Sequence, residues 1–258
     1  EIRTSLMTYT RHIPLDGVLN LRDLGGYATP SGQTPWRTFL RAASPHRLSP
    51  AEIAELEGMG LAQVIDLRFD DEIAKEPSPF AGRDTGARHV NISLFAGLDP
   101  QNPQLVAADD PLLELYKLAV DAMPTAFVTV LRAIAQADGA VLFHCSAGKD
   151  RTGLIAMMLL DLAGVDRAQI VADYTLTATY LGPLIDQHRA AVEAEGGDFA
   201  TYAKYLASTP ATMEAFLDHF AAHHGGTEAF LTRHGLTSDE IAVLRARLAP
   251  VTAQQGAA

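Results

Sequence analysis

Residues 139–163 constrain this chain more than any other stretch. Gly139-Ala140-Val141-Leu142-Phe143 is a short apolar run of the kind that forms a buried strand, and Leu154 to Ala163 reads as a buried helix. Between them stand ten residues: His144-Cys145-Ser146-Ala147-Gly148-Lys149-Asp150-Arg151-Thr152-Gly153. A strand, a tight loop and a helix start bring unpaired backbone N–H groups together at the positive end of a helix dipole, which is an anion site.

A cysteine opens this loop and an arginine follows six residues later. A helix N-terminus and neighbouring cations favour thiolate over thiol, so the spacing predicts Cys145 as a nucleophile. Five intervening residues let the loop curl until its amides, from Ser146 to Lys149, face an oxyanion while Arg151 returns to the same centre. The planar guanidinium can hold two oxygens at once, which lysine cannot do. Gly148 permits a positive φ, and Gly153 permits close helix packing. Thr152 is placed to donate its hydroxyl to the Cys145 sulfur, and His144 to brace the loop from beneath.

The Cys-x5-Arg-Thr pattern after a histidine resembles the protein tyrosine phosphatase signature. Its fuller form is similar to a bacterial branch of tyrosine, dual-specificity and lipid phosphatases with mycobacterial members. Asn20-Leu21-Arg22-Asp23-Leu24-Gly25-Gly26-Tyr27 resembles that branch's opening motif, and Val64-Ile65-Asp66-Leu67-Arg68 its first core strand. Ile170-Val171-Ala172-Asp173-Tyr174 resembles a helix that follows the signature. The resemblance implies an α/β fold of the protein tyrosine phosphatase type, with a central four- to five-stranded, largely parallel sheet flanked by helices. It also places Arg22 or Asp23 beside the loop; the alternative is a well-capped turn.

The 258 residues carry 48% hydrophobic and 20% charged side chains, enough for an ordinary core. The net charge of −11 opposes an anionic substrate, so the loop must overcome the field of the whole protein. It also argues against docking on nucleic acid or anionic membranes, which favour basic patches. No apolar stretch is long enough to span a bilayer. Cys145 is the only cysteine, and thiolate chemistry favours the reducing cytoplasm, with secretion kept as the alternative. Glu1 to Leu6 shows no apolar signal segment; Met7 as the native start and a leader already removed both stay open.

Along the chain, Thr38 to Arg41, Leu61 to Leu67 and His89 to Leu94 read as strands. Ser49-Pro50-Ala51-Glu52 is a capping box that opens a helix to Met59. Phe95 to Asp110 reads as a loop. Pro111 and Pro124 each open a helix, and from Asp166 onward the chain is helical almost throughout. No Pro/Gly/Ser linker divides the halves, so residues 1–250 are expected as one phosphatase domain, with 251–258 a frayed tail.

The expected chemistry is a metal-independent, cysteine-dependent phosphomonoesterase, with phosphotyrosine proteins or peptides as substrates. Dual specificity is within reach, and phosphoinositide or inositol phosphate hydrolysis on the same loop is the alternative. A rhodanese-like sulfurtransferase is more distant, because its loop typically lacks the Arg-Thr-Gly ending. A non-catalytic phosphate-binding module would be expected to have lost Cys145, Asp150 or Arg151.

The general acid is Asp150, which the resemblance supports, or Asp110 or Asp109, which lie 35 and 36 residues before Cys145. Asp before Pro is also a routine helix cap. Lys149 either holds the loop or adds charge for a second phosphate. Arg68 is a loop-bracing ion pair or a substrate contact. His219 and His223 have zinc spacing, but no third ligand is evident, so no metal is expected. Tyr202, Tyr205 and Phe216 are expected in the core of the tail helices.

Overall fold

The computed structural model describes residues 9–98, 102–196 and 199–250. The chain start read from Glu1 to Met7 and the tail from Val251 lie outside them, as does the side chain of Tyr202. The described strands are β1 (Arg22–Asp23), β2 (Ala28–Thr29), β3 (Gly32–Gln33), β4 (Phe39–Ala42), β5 (Leu61–Asp66), β6 (Arg88–Asn91) and β7 (Ala140–His144). One sheet runs in the order β1-β4-β7-β5-β6, while β2 and β3 form a separate small hairpin. In the large sheet β4, β7, β5 and β6 are parallel and only β1 is antiparallel.

Helix α1 (Pro50–Gly58) follows β4, α2 (Asp70–Lys75) follows β5, and α3 (Pro103–Val106), α4 (Pro111–Ala122) and α5 (Pro124–Ala135) connect β6 to β7. After β7 come α6 (Asp150–Leu162), α7 (Arg167–Tyr180), α8 (Gly182–Ala194), α9 (Phe199–Leu206), α10 (Pro210–His224), α11 (Thr227–Arg233) and α12 (Ser238–Leu248). Prolines in the first turn start α1, α4, α5, α8 and α10, where a missing N–H costs nothing. No single helix among the described residues is long and apolar enough to cross a membrane; α4 and α5 reach that length only across an 81° bend.

Strand alternation sorts the core into two layers. Leu40, Val64 and Leu142 join Ile53 and Leu56 of α1 on one face. Phe39, Ile65, Val141 and Phe143 point to the other, against α4, α5, α6 and the tail helices. Phe216 is buried there and Tyr205 packs against the same cluster. Ten of the 13 residues of α6 are buried, so this helix is apolar nearly all round, as a central helix must be. Each large apolar side chain buried this way contributes about 1.5–3 kcal/mol, which makes α6 a rigid mount for the loop before it.

Three further segments complete the scaffold around the site. The polar turn at Asn20 to Tyr27 supplies β1, which pairs Arg22 with Arg41 and Asp23 with Leu40. The acidic run after β5 folds as α2, because Glu72 reaches back to accept from the Phe69 amide at 2.8 Å. The segment read as a loop from Phe95 to Asp110 contains α3. All four parallel strands end at one edge, and the segments leaving them there (Ala43-Ser44, Leu67 to Phe69, Ile92-Ser93 and Cys145) frame the site, as the carboxyl ends of open α/β sheets do.

Candidate active site

The loop from Ser146 to Lys149 turns its carbonyls outward and its amides inward. Ser44 N donates to Ser146 O at 2.9 Å, and Asn20 Nδ2 donates to Ala147 O at 3.0 Å and Gly148 O at 3.1 Å. Arg41 Nη2 also donates to Gly148 O, at 2.8 Å, and Gly153 N to Lys149 O at 2.7 Å. The amides of Ser146, Ala147, Gly148 and Lys149 meet no acceptor among the described residues. Gly148 has φ +66°, and a Cβ there would lie 2.2 Å from Ala42 O, so only glycine fits. At Gly153 a Cβ would sit 3.3 Å from the Tyr174 ring, in tight contact.

Cys145 is buried at the head of this bowl. Arg151 approaches from the first turn of α6 and is clamped end-on by Glu72: Nη1 to Oε2 at 2.6 Å and Nη2 to Oε1 at 2.8 Å. Phe69 lies under the guanidinium, 4.7 Å from ring centre to Cζ. Burial works against the Arg151 charge, but the Glu72 hydrogen bonds and the field of Cys145 outweigh it and hold the proton more tightly than usual. The Nε and second Nη2 hydrogens take no partner among the described residues, so the side edge of the fork remains for an oxyanion. Glu72 also accepts from Ser146 Oγ and Phe69 N. Burial would raise its carboxyl, but the Arg151 guanidinium first, and then the Phe69 and Ser146 donors, bring it down to about 2.

Asp150 sits beside the bowl, partly exposed, and accepts from Tyr116 Oη. Tyr116 in turn lies 2.8 Å from Tyr174 Oη, and burial followed by the Asp150 charge pushes the Tyr116 phenol well above its ordinary value. Lys149 is buried and lines the same cleft as Ala147 and Asp150. Its Nζ donates to Tyr205 O and, at 3.0 Å, to Ala207 O, with Asp150 Oδ1 at 3.3 Å. That position ties α9 to the loop.

The supporting residues separate into distinct roles. Arg22 does not touch the loop; it donates to Asp173 Oδ1 at 3.0 Å and to the Asn20 side chain, and Asn20 makes the loop contact. Asp23 faces away, accepting from the amides of Gly25 and Arg37 at 2.8 Å each. Asp173 binds Arg22, Arg41 and Tyr27 Oη together, and the two guanidinium charges override burial to hold its carboxyl far below the usual range. Arg68 forms a two-pronged pair with Asp66, Nε to Oδ1 at 2.9 Å and Nη2 to Oδ2 at 2.7 Å, and also donates to Ser44 Oγ. It braces neighbouring segments. His144 is wholly buried, donates from Nδ1 to Cys145 O at 3.2 Å, and has Nε2 3.7 Å from Asp66.

Thr152 Oγ1 is buried with no hydrogen-bond partner among the described residues, the thiol included. Asp110 caps α4 by accepting from Leu113 N at 3.0 Å, and its other oxygen takes Thr212 Oγ1 at 2.6 Å. Asp109 is exposed. Sequence reasoning missed Glu72, Asn20, Tyr116 and Arg41. Glu72 did carry a signal, three residues after Phe69 at the end of a strand, but a capping glutamate looks the same.

The tyrosine phosphatase family model matches residues 13–250, and the chain belongs to that family. It is 39% identical over 225 residues to a tyrosine-protein phosphatase of Nostoc commune, an alignment covering 83% of this chain and 75% of the relative. It is 30% identical over 190 residues to the triple specificity protein phosphatase PtpB of Mycobacterium tuberculosis, covering 62% and 67%. Among solved structures, P. aeruginosa TpbA aligns over 57% of this chain and 80% of its own at 20% identity and a TM-score of 0.33, too loose for any side-chain correspondence.

Proposed function

We propose that this protein hydrolyses phosphotyrosine monoesters through a cysteinyl-phosphate intermediate, as one phosphatase unit working in a reducing compartment such as the cytoplasm. Cys145 Sγ attacks phosphorus, a P–S bond forms, and the P–O bond to the tyrosine breaks. The inward amides and the free edge of Arg151 receive the equatorial oxygens, where charge is greatest in the transition state. Asp150 gives its proton to the departing phenoxide. Water then attacks phosphorus as the P–S bond breaks, and Asp150 takes the proton back.

The observation that carries this reading is the loop whose carbonyls are all held from outside while its amides stay free beside Cys145 and the open edge of Arg151. A cleft of about 240 Å³ runs from Ala147 and Asp150 to Leu181, Leu184, Ile185 and Tyr205. Its apolar walls suit an aromatic ring attached to the phosphate. Lys149, held by main-chain oxygens, gives no support to a polyphosphorylated inositol.

Cys145→Ser should abolish turnover and keep binding of a phosphate analogue; surviving turnover overturns the assignment. A panel of phosphotyrosine peptide, phosphoinositide and inositol hexakisphosphate with EDTA present reads the substrate class. Thiosulfate turnover without phosphatase activity would move the chain to the sulfurtransferases.

A further inference from the structure

Far along α4 and α10, three side chains converge that the phosphatase reaction does not use. Asp121 lies in the last turn of α4, and His219 and His224 lie on α10. One ligand atom from each lies within 4.8 Å of the others. His224 is 7% exposed, yet neither of its ring nitrogens has a hydrogen-bond partner among the described residues, and His219 Nε2 is likewise buried and unpartnered. The His224 Nε2 stands 3.0 Å from an Asp121 carboxylate oxygen, too poorly aligned to count as a hydrogen bond. Buried polar nitrogens left without partners are costly, and three of them meet here beside one carboxylate.

From this we propose that Asp121, His219 and His224 form a binding site for a zinc-type divalent transition metal that clamps α4 to α10. Two imidazoles and one carboxylate are a borderline-soft donor set that suits zinc, cobalt or nickel and leaves a fourth position for water. Zinc binds nitrogen and carboxylate oxygen at about 2.0–2.2 Å, so the ligand atoms must close by an ångström or so. Asp121 is exposed and His219 half-buried, so both have room to rotate. The neighbouring cation, Lys117, is paired with Glu114 at 2.7 Å.

The sequence showed only the His219 and His223 pair, one turn apart. In the structure His223 stacks on His219 at 4.1 Å and turns its Nδ1 to the His219 carbonyl, and His224 takes the inward place. The clamp lies on the same two helices that carry Tyr116 and Phe216, whose rings meet edge to face at 5.8 Å. The metal therefore acts on packing that also positions the Tyr116 hydroxyl against Asp150, with no part in phosphoryl transfer.

The test is isothermal titration of zinc into the full chain without an affinity tag, in the Cys145→Ser form so that the thiol cannot bind the metal. One equivalent should bind and raise the thermal midpoint, since the ion binds only the native state. Cobalt in place of zinc should show the visible absorption of a four-coordinate site. Asp121→Asn and His219→Gln, both at positions with solvent access, should weaken binding by roughly 100-fold or more, beyond the ~10–100-fold of outer-shell losses. His223→Gln should keep one equivalent. Absence of stoichiometric binding overturns the proposal, as does loss of binding in His223→Gln with retention in Asp121→Asn.

Discussion

Glu72 holds both terminal nitrogens of Arg151, at 2.6 and 2.8 Å, and by doing so fixes which edge of the guanidinium is left without a partner among the described residues. An arginine on the first turn of a helix has several rotamers, and only one aims its side edge at the bowl. Orienting the fork before substrate arrives avoids reorganisation in the transition state. Glu72→Ala should lower kcat/KM on an aryl phosphate by about 10²-fold, the scale of losing one preorganised donor. Glu72→Gln should fall between that variant and the parent. Steady-state kinetics with oxyanion titration checks both.

Asp150→Asn should flatten the basic limb of the pH profile and spare aryl substrates with good leaving groups, which depart without a proton. Tyr116→Phe removes the hydroxyl that holds the Asp150 carboxyl in place, so kcat should fall severalfold with KM little changed. Asp110→Asn should leave the limb in place and lower stability by about 0.5–2 kcal/mol, as loss of a helix cap does. If Asp110→Asn flattens the limb instead, the acid is Asp110.

His144 is buried beneath the nucleophile, and burial pulls its imidazole down to about 4 despite Asp66 nearby. The unfolded chain takes up this proton near ~6.5, so between about pH 6.5 and 4 the unfolded state binds more protons than the native one. Stability should therefore fall as pH drops through that window, by about 3 kcal/mol from this group, and be flat above it. Urea midpoints measured from pH 7.5 to 4 should show the slope in the parent and a reduced one in His144→Asn.

Lys149→Met should lower the thermal midpoint, because the Tyr205 and Ala207 carbonyls lose their charged donor. A charge-assisted hydrogen bond contributes about 1.5–3 kcal/mol. The ratio of phosphotyrosine to phosphoinositide turnover should stay as it was. A selective fall on phosphoinositide would show that Lys149 reads a second phosphate after all.

Features carried by neighbouring residues were legible in the sequence. The loop needs only a strand, ten residues and a helix, and the chemistry proposed for it is read from the order Cys145, Gly148, Arg151. Helix starts at Pro50, Pro111 and Pro124 were legible because caps and first-turn prolines act within four residues.

What the tertiary structure decided is how charges far apart in sequence find each other. Glu72 reaches Arg151 across 79 positions, Asp173 reaches Arg22 across 151, and Asn20 reaches Gly148 across 128. Each pair rests on strand order and on which carboxyl ends adjoin β7, and the local pattern around Glu72 or Asp110 is the same for a cap as for a catalytic group. Lys149 had two readings for that reason, and the carbonyls its Nζ meets, Tyr205 O and Ala207 O, come from far along the chain. A side chain's chemical type is local, but its partner is set by the packing of the whole sheet.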